Sequence, residues 1–372
     1  MKIGFFTDSY FPEIDGVTYT IDLWREELER RGHEVYVVYP DGDYEPDERE
    51  IPVRSMPNPF YSGYRIPLTK RASALPDLDV VHCHGPAPVG LLGRYYAWKH
   101  DLPTVYTHHT PIEEYFHQSV KSKAIAGLLK KFYVPTETAF LRSFDVVTAS
   151  TNRIDRNVNH VQLPVGIDMD FFQSTATDWY PDPEQTVVGY SGRLSMEKNV
   201  EEILRVAAEL PEYEFVVVGE GPRREHLEAE APDNVTLRDF LPREELPVFY
   251  SSIDAFVTAS RGDTLGLSTL EANACGTPVV AADVPPFDET IEPANGMRFE
   301  YGDREEMAAT IEDCLAADWE TRAAVEQYSV EQTLVHLEQL YENAPGSQTT
   351  TASDDVQWQG KGQVSGAGDE QD

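Results

Sequence analysis

Short apolar runs alternate with helical segments along most of the chain, once through each half. The runs predicted as strands are residues 3–7, 35–39, 80–83, 104–106 and 145–149, and then 187–190, 215–218, 255–258 and 278–281. The predicted helices lie near 17–31, 88–99, 112–131 and 136–142, and then near 199–210, 222–230, 244–251 and 266–275. Strands that alternate with helices form parallel sheets covered on both faces. The pattern predicts an α/β fold of two Rossmann-like domains that face each other across a cleft.

Length and composition set the expected domain boundaries. At about 100–200 residues per domain, 372 residues suffice for two domains with short additions. We expect the first Rossmann-like domain over 1–172, a proline-bearing linker over 173–185 and the second domain over 186–318. A C-terminal helix is expected over 319–343. The composition of 344–372, rich in Gly, Ser, Thr, Gln and Asp, predicts a disordered acidic tail.

The composition also disfavours several classes of protein. Apolar residues make up 41% of the chain, and no apolar run reaches the roughly 20 residues that a membrane span needs. The N-terminus reads as a buried strand with no basic segment before it, so we expect no secretion signal. Cys83, Cys275 and Cys314 are too far apart in sequence to indicate a disulfide framework or a zinc cluster. We therefore expect a soluble cytosolic protein.

Acidic residues exceed basic ones by a wide margin. Asp and Glu number 65 against 30 Lys and Arg, a net charge of -35, and the acids are spread through well-patterned segments. This distribution favours a salt-adapted, halophilic surface over an acidic tail or a disordered chain. At about 1 M salt the Debye length is about 3 Å, so such charges are screened beyond contact distance. Nucleic acid, which needs a basic surface, is excluded as an expected partner.

Three glycine-bearing turns follow predicted strands. Gly16 stands just before a predicted helix, where backbone amides can approach a phosphate, although an ordinary strand-to-helix turn explains it equally well. The dinucleotide fingerprint G-x-G-x-x-G is missing there, which weakens a dehydrogenase interpretation. In the second half Gly192 is followed by Arg193 and, at the start of the next helix, by Lys198. Two cations at this place in so acidic a chain are suited to a diphosphate, and pairing of both with surface carboxylates is the alternative. Gly219 supplies a further tight turn at the same sheet edge.

Two carboxylates, Asp263 and Glu271, stand eight residues apart. In a continuous helix they would lie about 12 Å apart along the axis. That separation exceeds the roughly 5–9.5 Å between the two carboxylates of a glycoside hydrolase. The spacing suits contacts at the two ends of one long ligand, whereas a solvated helix acid is the simpler interpretation of Glu271.

Histidines cluster after two predicted strands of the first half. His108 and His109 follow the strand at 104–106, at the carboxyl end where α/β sheets bind ligands. His82 and His84 lie two residues apart on another strand, and we expect them to be structural. The D-x-D patterns at 41–43 and 168–170 carry little information in so acidic a chain, and we assign no metal.

The segment 118–133 (QSVKSKAIAGLLKKFY) has no acid. It contains four of the chain's nine lysines, namely Lys121, Lys123, Lys130 and Lys131. Its apolar residues share one helical face. A basic amphipathic helix of this kind is typical of contact with anionic lipid headgroups, and a solvated helix with chance lysines is the alternative.

Six motifs occur in a fixed order: residues 11–17 (FPEIDGV), 107–110 (THHT), 163–172 (LPVGIDMDFF), 191–199 (SGRLSMEKN), 218–222 (VGEGP) and 263–280 (DTLGLSTLEANACGTPVV). Together they resemble the family 4 retaining glycosyltransferases of the GT-B fold, over nearly the whole chain to about residue 342. The stretch 107–117, followed by the lysine-rich helix, looks most like the diacylglycerol glucosyltransferase branch, which works on membrane lipids. The resemblance also implies C-terminal helices that pack back on the first domain.

The resemblance implies a role for each matching residue. Arg193 and Lys198 would hold the diphosphate of a nucleotide-sugar donor, and Glu271 would contact its ribose hydroxyls. Asp263 stands where the family has a glutamate that touches the donor sugar, and its side chain is one methylene shorter. His109 matches the histidine near the transferred sugar. The donor-binding set is then Gly16, Gly192, Arg193, Lys198, Gly219, Gly266, Leu267 and Glu271, and the catalytic set is His109, Arg193, Lys198 and Asp263.

These implications describe a retaining hexosyltransferase that needs no metal and no cofactor. The donor would be a nucleotide sugar, best a UDP-sugar, and the acceptor a lipid at the inner, cytosolic face of the cell membrane, with which the protein makes peripheral contact. Transfer to a polyprenyl-linked or soluble glycan, as in exopolysaccharide synthesis or protein glycosylation, is one alternative. A nucleotide-sugar epimerase of the same fold and a non-catalytic nucleotide-sugar-binding protein are two others.

Overall fold

The computed structural model describes residues 1–12, 16–57, 65–68, 75–109, 123–154, 156–180 and 185–345, with the backbone alone for 123–130. The strands described in the first half are β1 (Lys2–Phe6), β2 (Glu34–Pro40), β3 (Glu50–Val53), β4 (Ser55–Pro57), β5 (Arg65–Pro67), β6 (Val80–Cys83), β7 (Thr104–His108), β8 (Val146–Ala149) and β9 (Val161–Gln162). The helices described there are α1 (Gly16–Arg30), α2 (Pro88–His100) and α3 (Lys123–Leu141).

The second half repeats the alternation. Its described strands are β10 (Val187–Ser191), β11 (Glu214–Val218), β12 (Val235–Arg238), β13 (Ala255–Thr258), β14 (Val279–Ala282) and β15 (Gly296–Phe299). Its described helices are α4 (Val200–Glu209), α5 (Arg224–Glu230), α6 (Leu246–Ser251), α7 (Leu267–Ala274), α8 (Phe287–Thr290), α9 (Arg304–Leu315), α10 (Thr321–Val325) and α11 (Val330–Asn343).

Each half is organised around a parallel sheet. The first sheet has the order β3-β2-β1-β6-β7-β8-β9, the second has the order β12-β11-β10-β13-β14-β15, and β4 pairs with β5 in a separate antiparallel hairpin. Consecutive residues of the central strands are buried on both faces, as for Phe5 and Phe6 of β1. Helices therefore cover both faces of each sheet, and the carboxyl ends of the strands are left to form the site. The predicted α/β fold with a parallel sheet in each half is confirmed.

The end of the described chain packs back on the first half, as predicted. Glu338 on α11 accepts a hydrogen bond from Arg31 Nη1 at 2.9 Å and lies 2.8 Å from His33 Nε2. Further along α11, the Tyr341 hydroxyl lies 2.7 Å from His82 Nδ1 in the first sheet. The segment expected as one helix over 319–343 contains both α10 and α11.

The segment that connects the two halves is held from both sides. Trp24 of α1 donates from its indole nitrogen to the carbonyl oxygen of Val165 at 2.6 Å. Arg322 of α10 donates to the carbonyl oxygens of Met169 and Phe172 at 2.6 and 2.7 Å. These contacts fix the segment to a helix of the first half and to a helix near the end of the described chain.

Two sequence expectations need correction. Helices were expected at 112–131 and 136–142, but α3 is continuous over 123–141 and contains Pro135. The sequence did not predict six strands that are short and in part lie at sheet edges, namely β3, β4, β5, β9, β12 and β15.

Residues 346–372 of the expected tail lie outside the described residues. Within the described part of the chain, no helix is long and apolar enough to cross a membrane.

Candidate active site

Two turns at the end of β10 and β11 pack directly on each other. Leu194 donates its backbone N–H to the carbonyl oxygen of Glu220 at 2.8 Å, next to the turn that Gly192 begins. Gly219 has φ 147° and Gly221 φ 158°. A Cβ at Gly219 would stand 1.9 Å from the Gly192 carbonyl oxygen, so this close approach of two backbones requires glycine. The predicted turns at Gly192 and Gly219 are therefore one rigid unit.

The next element brings a cation and a carboxylate together. Lys198 closes a short 3₁₀ turn, Met196–Lys198, and its Nζ lies 2.5 Å from Oδ2 of Asp263, which follows β13. The two loops are also joined by a backbone hydrogen bond from Arg261 N to the Glu197 carbonyl oxygen at 2.9 Å. Arg193 is exposed and makes no ion pair within the described part of the chain. The structure therefore places Lys198 and Asp263 in contact, with Arg193 on the neighbouring turn.

Asp263 lies in a loop, not in a helix. Helix α7 begins only at Leu267, after Gly266 at φ 76°. A Cβ at Gly266 would stand 2.7 Å from the ring of Phe287, so packing as well as the left-handed backbone favours glycine there. The 12 Å spacing expected for a continuous helix between Asp263 and Glu271 therefore does not apply.

Glu271 lies on α7 in an environment that disfavours its charge. The Tyr250 hydroxyl donates to Glu271 Oε2 at 2.9 Å. Burial raises the pKa of the Glu271 carboxyl to about 7, although the Tyr250 hydrogen bond and the Arg243 guanidinium both lower it. Glu271 thus changes charge near neutral pH, and the solvated helix acid considered from the sequence is not what the structure shows.

Arg243 connects the two halves beside this carboxyl. Its guanidinium lies 4.0 Å from the ring centroid of Phe171 and 5.0 Å from that of Tyr19 on α1. Its Nη2 is 3.8 Å from Oδ2 of Asp168 in the connecting segment. Neither Arg243 nor Tyr250 was singled out from the sequence, because their importance depends on contacts between elements remote in sequence.

The first half contributes a stack of imidazoles at the end of β6 and β7. His84 Nδ1 lies 3.0 Å from His109 Nε2, and the two rings are stacked at 5.3 Å. His82 stacks on His84 at 4.2 Å, and its Nε2 lies 2.7 Å from the hydroxyl oxygen of Thr107. Burial lowers the pKa of His82 and of His84 well below the usual range, so both rings are neutral at pH 7. His108 is buried.

His84 therefore contacts the predicted site residue His109, although the sequence indicated a structural role for it. The two-residue spacing of His82 and His84 at the end of β6 predicts that they share a face, because alternate strand residues do so. The spacing does not predict that β7 lies beside β6 and brings His109 to the same face.

The remaining predicted positions are placed as follows. Gly16 is the first residue of α1, and a Cβ there would meet nothing within 4 Å. Leu267 is the first residue of α7. Lys131 is exposed on α3, while for Lys123 and Lys130 only the backbone is described, and Lys121 lies outside the described residues.

Both D-x-D patterns serve local structure. Asp41 Oδ1 accepts a hydrogen bond from Ser55 N at 2.7 Å. Asp168 Oδ1 accepts from the backbone of Asp170 and Phe171 at 3.1 and 2.9 Å. These contacts give the side chains of Asp41 and Asp168 a structural role.

Two acids of α8 form ion pairs with the first half. Arg153, which follows β8, lies 2.8 Å from Asp288 through its Nη1 and 3.5 Å from Glu289 through its Nε. The backbone N–H of Asn152 donates to Glu289 Oε2 at 3.3 Å. These contacts hold the two carboxyl edges together at one side of the site.

The fold and the site define a class: a two-domain α/β enzyme whose second sheet presents cations and glycine turns. Residues 176–332 match the family described as "Glycosyl transferases group 1", and residues 14–166 match "Glycosyltransferase Family 4". The chain belongs to the family 4 glycosyltransferases of the GT-B fold and is a nucleotide-sugar-dependent glycosyltransferase.

Named relatives refine this likeness. The alpha-monoglucosyldiacylglycerol synthase of Streptococcus pneumoniae is 29% identical, over 85% of this chain and 79% of its own. The protein of the same name from Acholeplasma laidlawii is 27% identical, over 80% and 85%. The structure of Anabaena HepE in complex with UDP and glucose superposes with a TM-score of 0.66 at 18% identity, over 91% of this chain and 98% of HepE. The expected likeness to the diacylglycerol glucosyltransferase branch is confirmed.

Proposed function

We propose that this glycosyltransferase moves a hexose from a UDP-sugar to a membrane lipid, with retention of anomeric configuration and without a metal ion. The observation that carries the donor side is the contact between Lys198 and Asp263 at 2.5 Å, which brings the loops after β10 and β13 to one point. A diphosphate placed there meets Lys198, the neighbouring Arg193 and the amino end of α7. The positive charge of the protein is thus concentrated where negative charge develops on the leaving diphosphate.

The other donor contacts follow from the same edge. Glu271 accepts hydrogen bonds from the ribose hydroxyls, and its carboxylate form is the better acceptor. The turns at Gly192 and Gly219 leave backbone amides accessible. Gly16 lets α1 approach the donor from the other half, since no side chain of the described residues fills the space beside it. When the diphosphate binds, Lys198 pairs with it in place of Asp263. Asp263 then contacts the hydroxyls of the transferred sugar.

The chemistry proceeds on one face of the sugar. The bond from the anomeric carbon to the diphosphate oxygen breaks, and the acceptor hydroxyl oxygen forms the new bond on the same side. The hydroxyl proton passes to the departing phosphate oxygen, so no protein nucleophile is needed. Arg193 and Lys198 stabilise the charge on that oxygen, and His109, held by neutral His84, positions the sugar.

The acceptor assignment is supported by the relatives, which are named as synthases of glucosyldiacylglycerol. An acceptor in a bilayer requires the enzyme to work at a membrane surface. We propose that α3 makes this contact through Lys123, Lys130 and Lys131, together with Lys121, which precedes the helix in the sequence, at the cytosolic face of the cell membrane. HepE, which has the same fold, was solved with UDP and glucose, and this favours a uridine donor.

We also propose that the excess of acids is an adaptation to high salt. With 65 acidic against 30 basic residues, self-repulsion destabilises the folded state at low ionic strength. Raising KCl from about 0.1 to about 1 M shortens the Debye length from about 10 to about 3 Å. The melting temperature is expected to rise over this range in calorimetry. A melting temperature that falls would contradict salt adaptation.

The experiment that tests the function is a transfer assay in high salt. The purified protein is incubated with radiolabelled UDP-glucose, UDP-galactose or GDP-mannose and with vesicles that contain diacylglycerol, and the organic phase is counted. We expect label in the lipid phase, an unchanged rate in the presence of EDTA, and an α-linked product by nuclear magnetic resonance.

Glu271→Gln is the test variant and Glu305→Ala, an exposed acid on α9, is its matched control. Loss of transfer in the first and full activity in the second supports the donor site. Label in soluble glycan but never in lipid would overturn the lipid acceptor. Donor binding without transfer to any acceptor would favour a non-catalytic binding protein.

A further inference from the structure

Helix α2 carries three large apolar side chains that point into solvent. Leu91 is 54% exposed, Tyr95 57% and Trp98 70%. Their spacing of four and three residues places them on one face of the helix, and the Tyr95 and Trp98 rings lie 5.8 Å apart. A soluble surface rarely leaves so much aromatic area in one stripe unless something covers it.

The opposite face of α2 is fully engaged. Val89, Gly93 and Ala97 are buried against the first sheet, and Gly93 approaches the ring of Phe6 so closely that a Cβ would stand 2.6 Å from it. The exposed stripe is therefore not a packing face that another element of the described chain covers. The stripe is available to an external partner.

The stripe lies on the same side of the first sheet as α3. One apolar cluster on that face of the sheet contains Ala97 of α2 together with Leu141, the last residue of α3. Arg94 of α2 donates to the carbonyl oxygen of Ser143, just after α3, at 2.9 Å. The two helices are neighbours in one layer, and α2 begins a few residues after His84, which contacts His109.

Local charge distinguishes α2 from the rest of the chain. Residues 80–100 contain no Asp or Glu, although such residues number 65 in the 372 of the chain. Lys99 and His100 are exposed beside the stripe. Because the exposed Asp101 follows directly, the local excess of positive charge is small, and an anionic surface is repelled less here than by most of the remaining protein.

We propose that the Leu91–Tyr95–Trp98 stripe inserts into the headgroup region of an anionic lipid bilayer. Tyr and Trp suit this position, because the ring is apolar and its polar atom stays among the headgroups. The proposal rests on the proposed function, in which the acceptor is a membrane lipid.

Membrane binding by the stripe and membrane binding by the lysines of α3 are expected to depend differently on salt. Attraction between lysines and headgroups is screened at about 1 M salt, whereas burial of aromatic side chains is not weakened by salt. The stripe is thus the part of the membrane contact that works in concentrated salt.

The test measures binding to vesicles of phosphatidylglycerol and phosphatidylcholine by co-sedimentation at low and high KCl. Trp98→Ser is compared with Phe240→Ser, a matched control because Phe240 is also 70% exposed. We expect about a tenfold loss of affinity in Trp98→Ser at both salt concentrations, the effect of no longer burying one large aromatic side chain. Phe240→Ser should bind as wild type. Bromine-labelled acyl chains should quench wild-type fluorescence more than that of Trp98→Phe.

The outcomes for the stripe and for the function are distinct. Equal vesicle binding by wild type and Trp98→Ser, with equal quenching in Trp98→Phe, would overturn the proposal that the stripe inserts into the bilayer. Trp98-dependent binding by a protein that glycosylates no lipid would support insertion of the stripe and overturn the proposal that the acceptor is a lipid. Normal transfer by Trp98→Ser to short-chain, water-dispersed diacylglycerol, with reduced transfer to vesicles, would support both. A dimer in light scattering that Trp98→Ser dissolves would overturn the bilayer as occupant.

Discussion

The two carboxyl edges that meet at the site differ in how they handle charge. The edge of the second sheet brings Lys198 against Asp263 and raises the pKa of Glu271 to about 7. The edge of the first sheet stacks His82, His84 and His109, and burial keeps the first two neutral. One edge thus holds a charged pair, while the other presents uncharged rings of fixed position.

This difference indicates a division of labour. A diphosphate needs cations that can leave one partner for another, and Lys198 has such a partner in Asp263. A sugar hydroxyl needs polar atoms that hold their place, and neutral histidines provide these without competing for the diphosphate. The variants below separate the two edges.

The largest effect is expected from removing charge at the second edge. Arg193→Ala leaves the fold intact, because Arg193 is exposed and has no ion pair among the described residues. Loss of one group that stabilises the leaving diphosphate should lower kcat about 100-fold. Steady-state kinetics with a saturating UDP-sugar measures this. A kcat within twofold of wild type would remove Arg193 from the catalytic set.

A smaller effect is expected from the first edge. In the described structure His84 Nε2 is buried without a hydrogen-bond partner, so an apolar ring in its place should leave stability equal or higher. His84→Phe removes the contact to His109, and we expect about a tenfold fall in kcat with an unchanged KM for the donor.

The control for this prediction is the pH profile. If His84 positions His109, His84→Phe alters the pH dependence of kcat, and His84→Asn, which keeps a polar side chain, restores part of the rate. A fall in melting temperature that accounts for all the lost activity would contradict a positioning role.

The smallest effect concerns stability and the charge of Glu271. The pKa is about 7 in the folded protein against 4.5 ordinarily, so the folded state holds the proton more tightly. The stability that this proton provides is present below pH 4.5 and is lost as pH rises to about 7. The stability of Glu271→Gln should therefore match that of wild type near pH 4.5 and exceed it above pH 7, by about 3 kcal/mol. Denaturant titrations at the two pH values measure this, and equal stabilities at both would contradict the raised pKa.

Much of the fold could be predicted from the sequence, because buried parallel strands are short apolar runs that stand out from their helices. The edge strand β12 (Val235–Arg238) was missed, since Val-Thr-Leu-Arg alternates too briefly to distinguish a strand from a loop. The break expected before Pro135 is absent, because packing of α3 overrides the cost of a proline within the helix.

The site was predicted less completely. Lys198 and Asp263 were each singled out by their place after a strand, but their contact depends on β10 lying beside β13, which no local pattern states. The same holds for His84 and His109, which directly follow the neighbouring strands β6 and β7. The exposed stripe of α2 was also missed, because periodicity alone does not tell which apolar face is covered.

The division of labour is tested most directly by titrating UDP into variants of the Lys198–Asp263 pair. UDP carries the diphosphate and no sugar, so Asp263 acts on it only as a competitor for Lys198. Lys198→Met should weaken UDP binding several-fold, whereas Asp263→Asn should strengthen it while lowering transfer from the full donor. Isothermal calorimetry gives both affinities. Weaker UDP binding in both variants would show that the pair only supports the loops, and would contradict the exchange of partners on which the donor site depends.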